Sequence, residues 1–177
     1  SVYPVVSTLD VAHVSLVRPE PLLSACFVVD IHLGKLARHL RLLGFDTVVD
    51  GNAQDEDLVD ISVGQRRILL TKDRPLLKRA AVTHGYLVRS LQSEAQVVEV
   101  VRRFDLGRSI EPFARCLECN GLIEPVAKAD IEHRLEPLTK RYFDQFRRCR
   151  ECDRIFWRGS HFARLEALVD RVRAEAG

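Results

Sequence analysis

The chain has 177 residues, 46% of them hydrophobic, which allows one sizeable core and a small appendage. It contains no stretch of about 18 apolar residues and does not open with a basic segment followed by an apolar run, which argues against a membrane span or a signal peptide and favours a cytoplasmic protein. A formal net charge of +2 is too small to require an anionic partner, so the distribution of charge has to decide that question.

The first 25 residues differ from the rest of the chain in their pattern of prolines and apolar residues. Pro4, Pro19 and Pro21 are spread among single apolar residues, which predicts an extended lead-in. The chain has no methionine, not even at position 1, which indicates a fragment or a processed form of a longer protein.

Between residues 26 and 108, short apolar runs alternate with amphipathic stretches of helical period. The runs that predict strands are 27–30, 47–49, 67–71 and 86–88. The stretches that predict helices are 33–43, 55–65, 73–82 and 92–103. Because parallel neighbouring strands need crossover helices, this order predicts an α/β domain with a mostly parallel sheet covered on both faces.

The first helix has the clearest pattern. Its apolar positions recur at helical spacing: Leu33, Leu36, Ala37, Leu40 and Leu43. Lys35, Arg38 and Arg41 lie away from that stripe, and Gly44 stands where a C-cap belongs. For the second helix, Asp55 is the candidate N-cap.

A second, smaller module is predicted from residue 109 to residue 177. The strand and helix alternation stops after Gly107, two prolines intervene, and all the paired cysteines follow. Residues 140–158 contain seven basic residues against three acidic ones, so the module is locally basic. An apolar stripe over 161–174 predicts a closing helix.

Two CxxC motifs carry the most specific chemical signal. Cys116 and Cys119 form the first, and Cys149 and Cys152 form the second. Four thiolates complete the tetrahedral shell of a structural zinc ion, and Gly121 suits the turn that aims the first pair. The loop of 29 residues between the pairs is longer than in the commonest zinc ribbons, and a redox or disulfide role is the alternative.

Acidic residues gather where the predicted strands end. Asp30 ends the first strand, Asp73 follows the third, and Asp55, Glu56 and Asp57 open the second helix. The carboxyl ends of parallel strands meet at one edge of the sheet, so these groups can share a magnesium or manganese ion there. Helix capping and turn formation are the plainer alternatives for each of them.

Several basic residues surround these acids in the sequence. They are Lys35, Arg38, Lys72 and Arg74. By default such residues form solvated helix faces, but they can also neutralise a phosphate backbone.

Several separated motifs together resemble one known family. They are FVVDIHLGKLARHLRLLGFDT, QDEDL, RILLTKDR, RCLECNG and FWRGSH. In this order they resemble the Mut7-C family, regarded as ribonucleases of PIN-like fold with an appended zinc ribbon. The stretch LDVAHVSLVRPEPL also resembles the tail of a ubiquitin-like domain that precedes this module in some relatives.

The resemblance implies roles for particular residues. Asp30, Asp55 and Asp73 would bind magnesium or manganese, with Glu56 or Asp57 as a supporting acid, and the reaction would be hydrolysis of RNA. A fourth acid late in the sheet has no clear counterpart here, and Asp105 is a weak candidate.

The same resemblance makes RNA the expected partner, with transfer RNA as the first guess. The residues expected to contact RNA are Lys35, Arg38, Lys72, Arg74, Arg148, Trp157, Arg158 and His161. Phe156 is a further aromatic ring available for stacking, and a core position is the alternative for Trp157. A non-catalytic RNA-binding adaptor is the alternative function. A phosphoacceptor receiver domain fits less well, because it would need a pair of acids after the first strand and no cysteine module.

Overall fold

The computed structural model describes residues 25–176. The predicted lead-in, including its likeness to a ubiquitin-like domain, lies outside the described residues except for Ala25. No helix in the described part is both long and apolar enough to cross a membrane.

A four-stranded sheet forms the centre of the molecule. Its strands are β1 (Phe27–Val29), β2 (Thr47–Val48), β3 (Ile68–Thr71) and β4 (Gly85–Leu87). They pair in the order β2-β1-β3-β4, and every pair is parallel. The predicted α/β class is therefore confirmed. The chain leaves β1 towards β2 and then returns to the other side of β1, so the connections diverge between β1 and β3.

Four helices cover the two faces of this sheet. They are α1 (Gly34–Leu42), α2 (Asp55–Gly64), α3 (Arg74–Leu77) and α4 (Ser93–Arg103). Phe27 and Val29 of β1 enter the larger core, which contains the buried stripes of α1 and α4. Val28 points to the opposite face and packs in a smaller core with apolar residues of α2 and α3. Burial on both faces explains why the strands are continuously apolar rather than alternating.

The third helix is much shorter than predicted. It covers four residues instead of 73–82, and the chain then turns towards β4. A continued helix would place Val82 about 140° around the axis from Leu77. The turn instead lets both side chains pack against the smaller core, so tertiary packing overrides local helix propensity here.

A second sheet lies beside the two CxxC motifs, and Cys149 is the last residue of its middle strand. Its antiparallel strands are β5 (Ile123–Val126), β6 (Phe146–Cys149) and β7 (Ile155–Trp157). Two short helices, α5 (Lys128–Ile131) and α6 (Pro137–Tyr142), lie in the long loop between the two CxxC motifs.

The closing helix α7 (Phe162–Ala176) returns to the first core. Its buried residues Leu168, Val169 and Val172 join the cluster that contains α1 and α4. The predicted division at residue 109 therefore does not separate two hydrophobic cores. The apolar stripe of α7 was expected within the zinc module, but the valine-rich face of α4 supplies its partner.

Candidate functional site

A cavity of about 840 Å³ opens at the carboxyl edge of the parallel sheet. Its acidic lining residues are Asp30, Asp55, Glu56 and Asp73. They come from three separate segments of the chain: the end of β1, the start of α2 and the residues after β3. The cavity lies where the connections of β1 and β3 diverge, which is the usual ligand position in open α/β sheets.

Thr71 links the two aspartates that follow β1 and β3. Its hydroxyl donates to Asp30 Oδ2 at 2.9 Å and accepts from the backbone N–H of Asp73 at 3.0 Å. The other carboxylate oxygen of Asp30 accepts from the backbone N–H of His32 at 3.0 Å. Thr71 is fully buried, so the Asp30 carboxylate is held from inside the protein while it remains open to the cavity.

The acids at the start of α2 have different roles from one another. Asp57 accepts from the backbone N–H of Gln54 at 2.8 Å and so supports the N-cap residue as part of a capping box. It does not line the cavity. The helix cap is Gln54 and not Asp55, which corrects the capping role predicted for Asp55. Asp55 and Glu56 are the first two residues of the helix, and both side chains reach the cavity.

The four cavity acids do not form a closed metal shell. Within residues 25–176, the one group of three or more candidate ligands whose donor atoms all lie within 4.8 Å of one another is the cysteine cluster. The carboxylates therefore share a cavity without converging on one point. Asp105, the weak candidate for a further acid, follows α4 and does not line the cavity.

The basic residues predicted around the acids are not all placed together. Lys72 lines the cavity. Lys35 and Arg74 are exposed and do not line it. Arg38 is directed elsewhere, because its guanidinium pairs with Glu118 at 2.8 Å.

Arg79 is a cavity residue that the sequence did not point to. Its guanidinium contacts Glu56 Oε1 at 3.1 Å and Asp55 Oδ2 at 3.5 Å. The residue lies in the turn after α3, where a helix running to residue 82 was predicted. Nothing in the local pattern distinguishes it from the neighbouring Lys78.

The four cysteines converge at a candidate zinc site. The Sγ atoms of Cys116 and Cys152 are 3.7 Å apart, and those of Cys119 and Cys149 are 3.4 Å apart. Tetrahedral zinc with bonds of about 2.3 Å requires sulfurs about 3.8 Å apart, so the cluster can bind a zinc ion with little adjustment. Such a shell has no open position for substrate.

The turn around Gly121 is shaped for this cluster. Its N–H donates to Cys119 Sγ at 3.4 Å. A Cβ at this position would lie 2.9 Å from Cys149 Sγ and 2.5 Å from Glu151 Cγ. Burial opposes ionisation of Cys149, but the N–H groups of Cys152 and Glu151 donate to its sulfur and lower its pKa to about 7. A thiolate is therefore accessible for metal binding near neutral pH.

The first CxxC turn docks onto the amino edge of the parallel sheet. Arg41 of α1 donates to the carbonyl oxygens of Leu117 and Glu118, at 3.0 and 2.7 Å, and to that of Thr47 at 2.9 Å. Arg41 is only 7% exposed, which corrects the solvent-facing position that the helical pattern predicted. Its charge satisfies carbonyl groups that the docked turn would otherwise bury unpaired.

Asn120 completes the same contact. Its side-chain oxygen accepts from the N–H of Thr47 at 3.0 Å, and its amide donates to Asp46 at 2.8 Å. Asp46 also accepts from Arg67 at 2.6 Å. Burial opposes ionisation of Asp46, but the hydrogen bonds from Arg67 and Asn120 hold the pKa of this carboxyl below its usual value. Arg67 immediately precedes β3, and Asp46 immediately precedes β2, so this contact and the acidic cavity lie at opposite ends of the strands.

Comparison with known proteins places this arrangement in a family. The family model described as the Mut7-C RNAse domain matches residues 25–169, which include both sheets and the four cysteines. The chain belongs to the Mut7-C family.

A curated relative shares part of this Mut7-C region. It is the human "Exonuclease mut-7 homolog", 34% identical over 99 residues. That match covers 52% of this chain but only 11% of the relative, so most of the relative lies outside the comparison. No solved structure matches the chain.

Within the Mut7-C region, the residues predicted to bind RNA from the cysteine module are partly engaged by the protein itself. Arg148 lies 3.7 Å from Glu124 and 3.6 Å from Asp153. The guanidinium of Arg158 lies 4.8 Å from the ring centre of Phe162. Trp157 is 41% exposed, and its ring centre is 6.5 Å from that of Phe146. His161 is exposed, and none of these residues lines the acidic cavity.

Proposed function

We propose that this chain is a metal-dependent ribonuclease that hydrolyses RNA phosphodiester bonds at the carboxyl edge of a PIN-like sheet. The observation that carries the proposal is the cavity in which Asp30, Asp55, Glu56 and Asp73 meet from three segments of the chain. Membership of the Mut7-C RNAse family supports the reaction class, and the name of the human relative, an exonuclease homolog, supports nuclease activity.

Asp30 and Asp73 are the central candidates for holding magnesium or manganese, and Asp55 and Glu56 complete the donor set. Hard carboxylate oxygens are the ligands that these ions prefer. When bound, such an ion lowers the pKa of a coordinated water and stabilises the charge that grows on the phosphate.

The protein's own contribution is positional. Thr71 holds the Asp30 carboxylate in one orientation through its 2.9 Å hydrogen bond and fixes the backbone of Asp73. Partners of this kind set the direction and basicity of a metal-binding carboxylate. Lys72, between Thr71 and Asp73 in the sequence, lines the cavity and can neutralise a neighbouring phosphate.

The cysteine module would bind structural zinc and help hold RNA through its basic residues and exposed rings. Transfer RNA is the proposed substrate class. The proposed location is the cytoplasm, because a reducing compartment would keep the four thiols available for zinc.

The test is an RNA cleavage assay with manganese or magnesium on the zinc-loaded chain. Asp30→Asn and Asp73→Asn should each abolish cleavage, while Asp60→Asn should keep it. Asp60 is a matched control because it is an exposed acid on α2 that does not line the cavity. Full activity in the first two variants would refute the proposal.

A non-catalytic RNA-binding adaptor is the second candidate. The ion pairs from Arg79 to Asp55 and Glu56 favour it, because they occupy two of the four acids. In that case RNA binding would survive Asp30→Asn and Asp73→Asn, and no cleavage product would form with either metal.

A further inference from the structure

Arg79 is the cation that directly contacts the acids of the cavity. One nitrogen of its guanidinium reaches Glu56 at 3.1 Å and the other reaches Asp55 at 3.5 Å. The second basic residue of the cavity lining is Lys72. Among the ion pairs of the described residues, Asp55 and Glu56 pair with Arg79, and Lys72 is paired with neither.

Four carboxylates in one cavity repel one another unless a cation is close. A guanidinium provides one positive charge, and its two contacts leave Asp30 and Asp73 without direct neutralisation. A divalent ion would supply more charge to the same group of oxygens. The guanidinium and the divalent ion therefore compete for Asp55 and Glu56, because two cations in contact with the same carboxylates repel each other.

The Arg79 contacts are of a kind that is easily exchanged. The side chains of Arg79, Asp55 and Glu56 are 37%, 50% and 76% exposed. Ion pairs with this much solvent contact contribute little to stability. The side chain is thus held near the cavity without being locked into it.

A displaced guanidinium would still be at the right place for another anion. The planar guanidinium can donate two parallel hydrogen bonds to two oxygens of a phosphate, as it does to a carboxylate. A lysine ammonium cannot form this paired contact. RNA brings phosphates to the cavity under the proposed function.

We propose that Arg79 is a positioning residue that exchanges partners. In the metal-free chain it pairs with Asp55 and Glu56, and once a divalent ion takes those acids it turns to a phosphate of the RNA. This inference rests on the proposed function. It adds that the chain carries an internal competitor for its own metal, and that the competitor becomes a substrate contact.

The experiment measures manganese binding directly, by the loss of the free Mn²⁺ signal in electron paramagnetic resonance, on the full zinc-loaded chain. Arg79→Gln should bind Mn²⁺ about fivefold more tightly than the unaltered chain, because the competing cation is gone. Arg79→Lys should bind Mn²⁺ nearly as the unaltered chain does. Lys78→Gln is the matched control, since it removes an exposed positive charge one residue away that does not line the cavity, and its Mn²⁺ affinity should not change.

A second measurement separates the two halves of the exchange. In cleavage assays at saturating Mn²⁺, Arg79→Gln should raise the KM for RNA about tenfold, and Arg79→Lys should recover only part of that loss because a lysine cannot form the paired contact. Thermal melts of all variants should be alike, since the ion pairs are half exposed.

The outcomes distinguish the inference from the proposed function. If the unaltered chain does not bind Mn²⁺, or if Asp30→Asn does not weaken that binding, both the exchange and the ribonuclease proposal fail. If it does bind such an ion, but Arg79→Gln binds Mn²⁺ no more tightly than the unaltered chain, the exchange is wrong and the ribonuclease proposal stands. An unchanged KM in Arg79→Gln would also overturn the exchange.

Discussion

The two edges of the parallel sheet are built in opposite ways. At the carboxyl edge, acids from separate segments face an open cavity, and their side chains are exposed or half-buried. At the amino edge, Arg41 and Asp46 bind a cysteine turn that includes Asn120, through hydrogen bonds that are partly shielded from water. One edge keeps its polar groups available for a ligand, and the other uses them to hold a second module. The cysteine cluster thus sits at the end of the sheet away from the acids, so a zinc ion bound there would act on the fold and not on the substrate.

Zinc removal should have the largest effect and should be confined to the amino edge. Stripping zinc with a strong chelator should lower the midpoint of thermal unfolding by on the order of 10 °C, because binding energy of a structural zinc ion is folding energy. Removing magnesium or manganese should stop cleavage and leave the melting midpoint unchanged. Calorimetry with metal analysis checks both, and equal melts with and without zinc would contradict the structural role of the cysteines.

A pair of threonine substitutions separates the two edges. Thr71→Val removes the hydroxyl that holds Asp30 and should reduce cleavage about tenfold or more. Thr47→Val is its counterpart at the other edge, where the equally buried hydroxyl donates to the carbonyl oxygen of Phe45. It should lower the free energy of unfolding by about 1 kcal/mol and leave the cleavage rate unchanged. Equal loss of activity in both variants would mean that the edges are not independent.

Asn120 tests the docking contact itself. Asn120→Gly should lower the free energy of unfolding by about 1–2 kcal/mol, because the N–H of Thr47 loses its acceptor. Asn120→Ala should cost about 1 kcal/mol more, since the backbone here has a φ of 71°, which disfavours a Cβ. Urea unfolding measures the difference, and identical stabilities for the glycine and alanine variants would contradict the strain.

Asp46 should give a small effect that depends on pH. Its lowered pKa means that the carboxylate stabilises the fold above the unfolded-state pKa of about 4, and that this contribution is lost as the pH falls through the folded-state value. Asp46→Asn should therefore be less stable than the unaltered chain by about 1 kcal/mol at pH 7. The gap should close below about pH 4, and zinc loss in acid cancels because both chains undergo it. A gap that stays constant from pH 7 to pH 3 would rule out this carboxylate as its source.

Much of the carboxyl edge could be predicted from the sequence because topology alone brings it together. Strand-end acids such as Asp30 and Asp73 lie at the same edge of any parallel sheet of this order, and here they line one cavity. The helices whose stripe and cap are strong, such as α1 with Gly44, begin and end close to their predicted limits. The zinc-binding arrangement of the CxxC pairs could also be predicted, because the spacing of the cysteines alone indicates such a site.

The amino edge could not be predicted, because its contacts join residues distant in the chain without any local pattern. Arg41 has the helical position of a surface residue, yet it is buried because a turn 76 residues later brings carbonyl groups to it. Arg79 was missed for a related reason: its turn replaces a stretch with good helix propensity. In both cases the deciding interaction is tertiary.

The return of α7 to the first core has a consequence for how the protein matures. The cysteine module is inserted between α4 and α7, and the core stays incomplete until the last fifteen-residue helix has been added. On a ribosome, the earlier helices would wait with an apolar face uncovered while the insert folds around its metal. A slow supply of zinc would prolong that exposure, so metal scarcity should appear first as aggregation of newly made chains rather than as loss of finished protein.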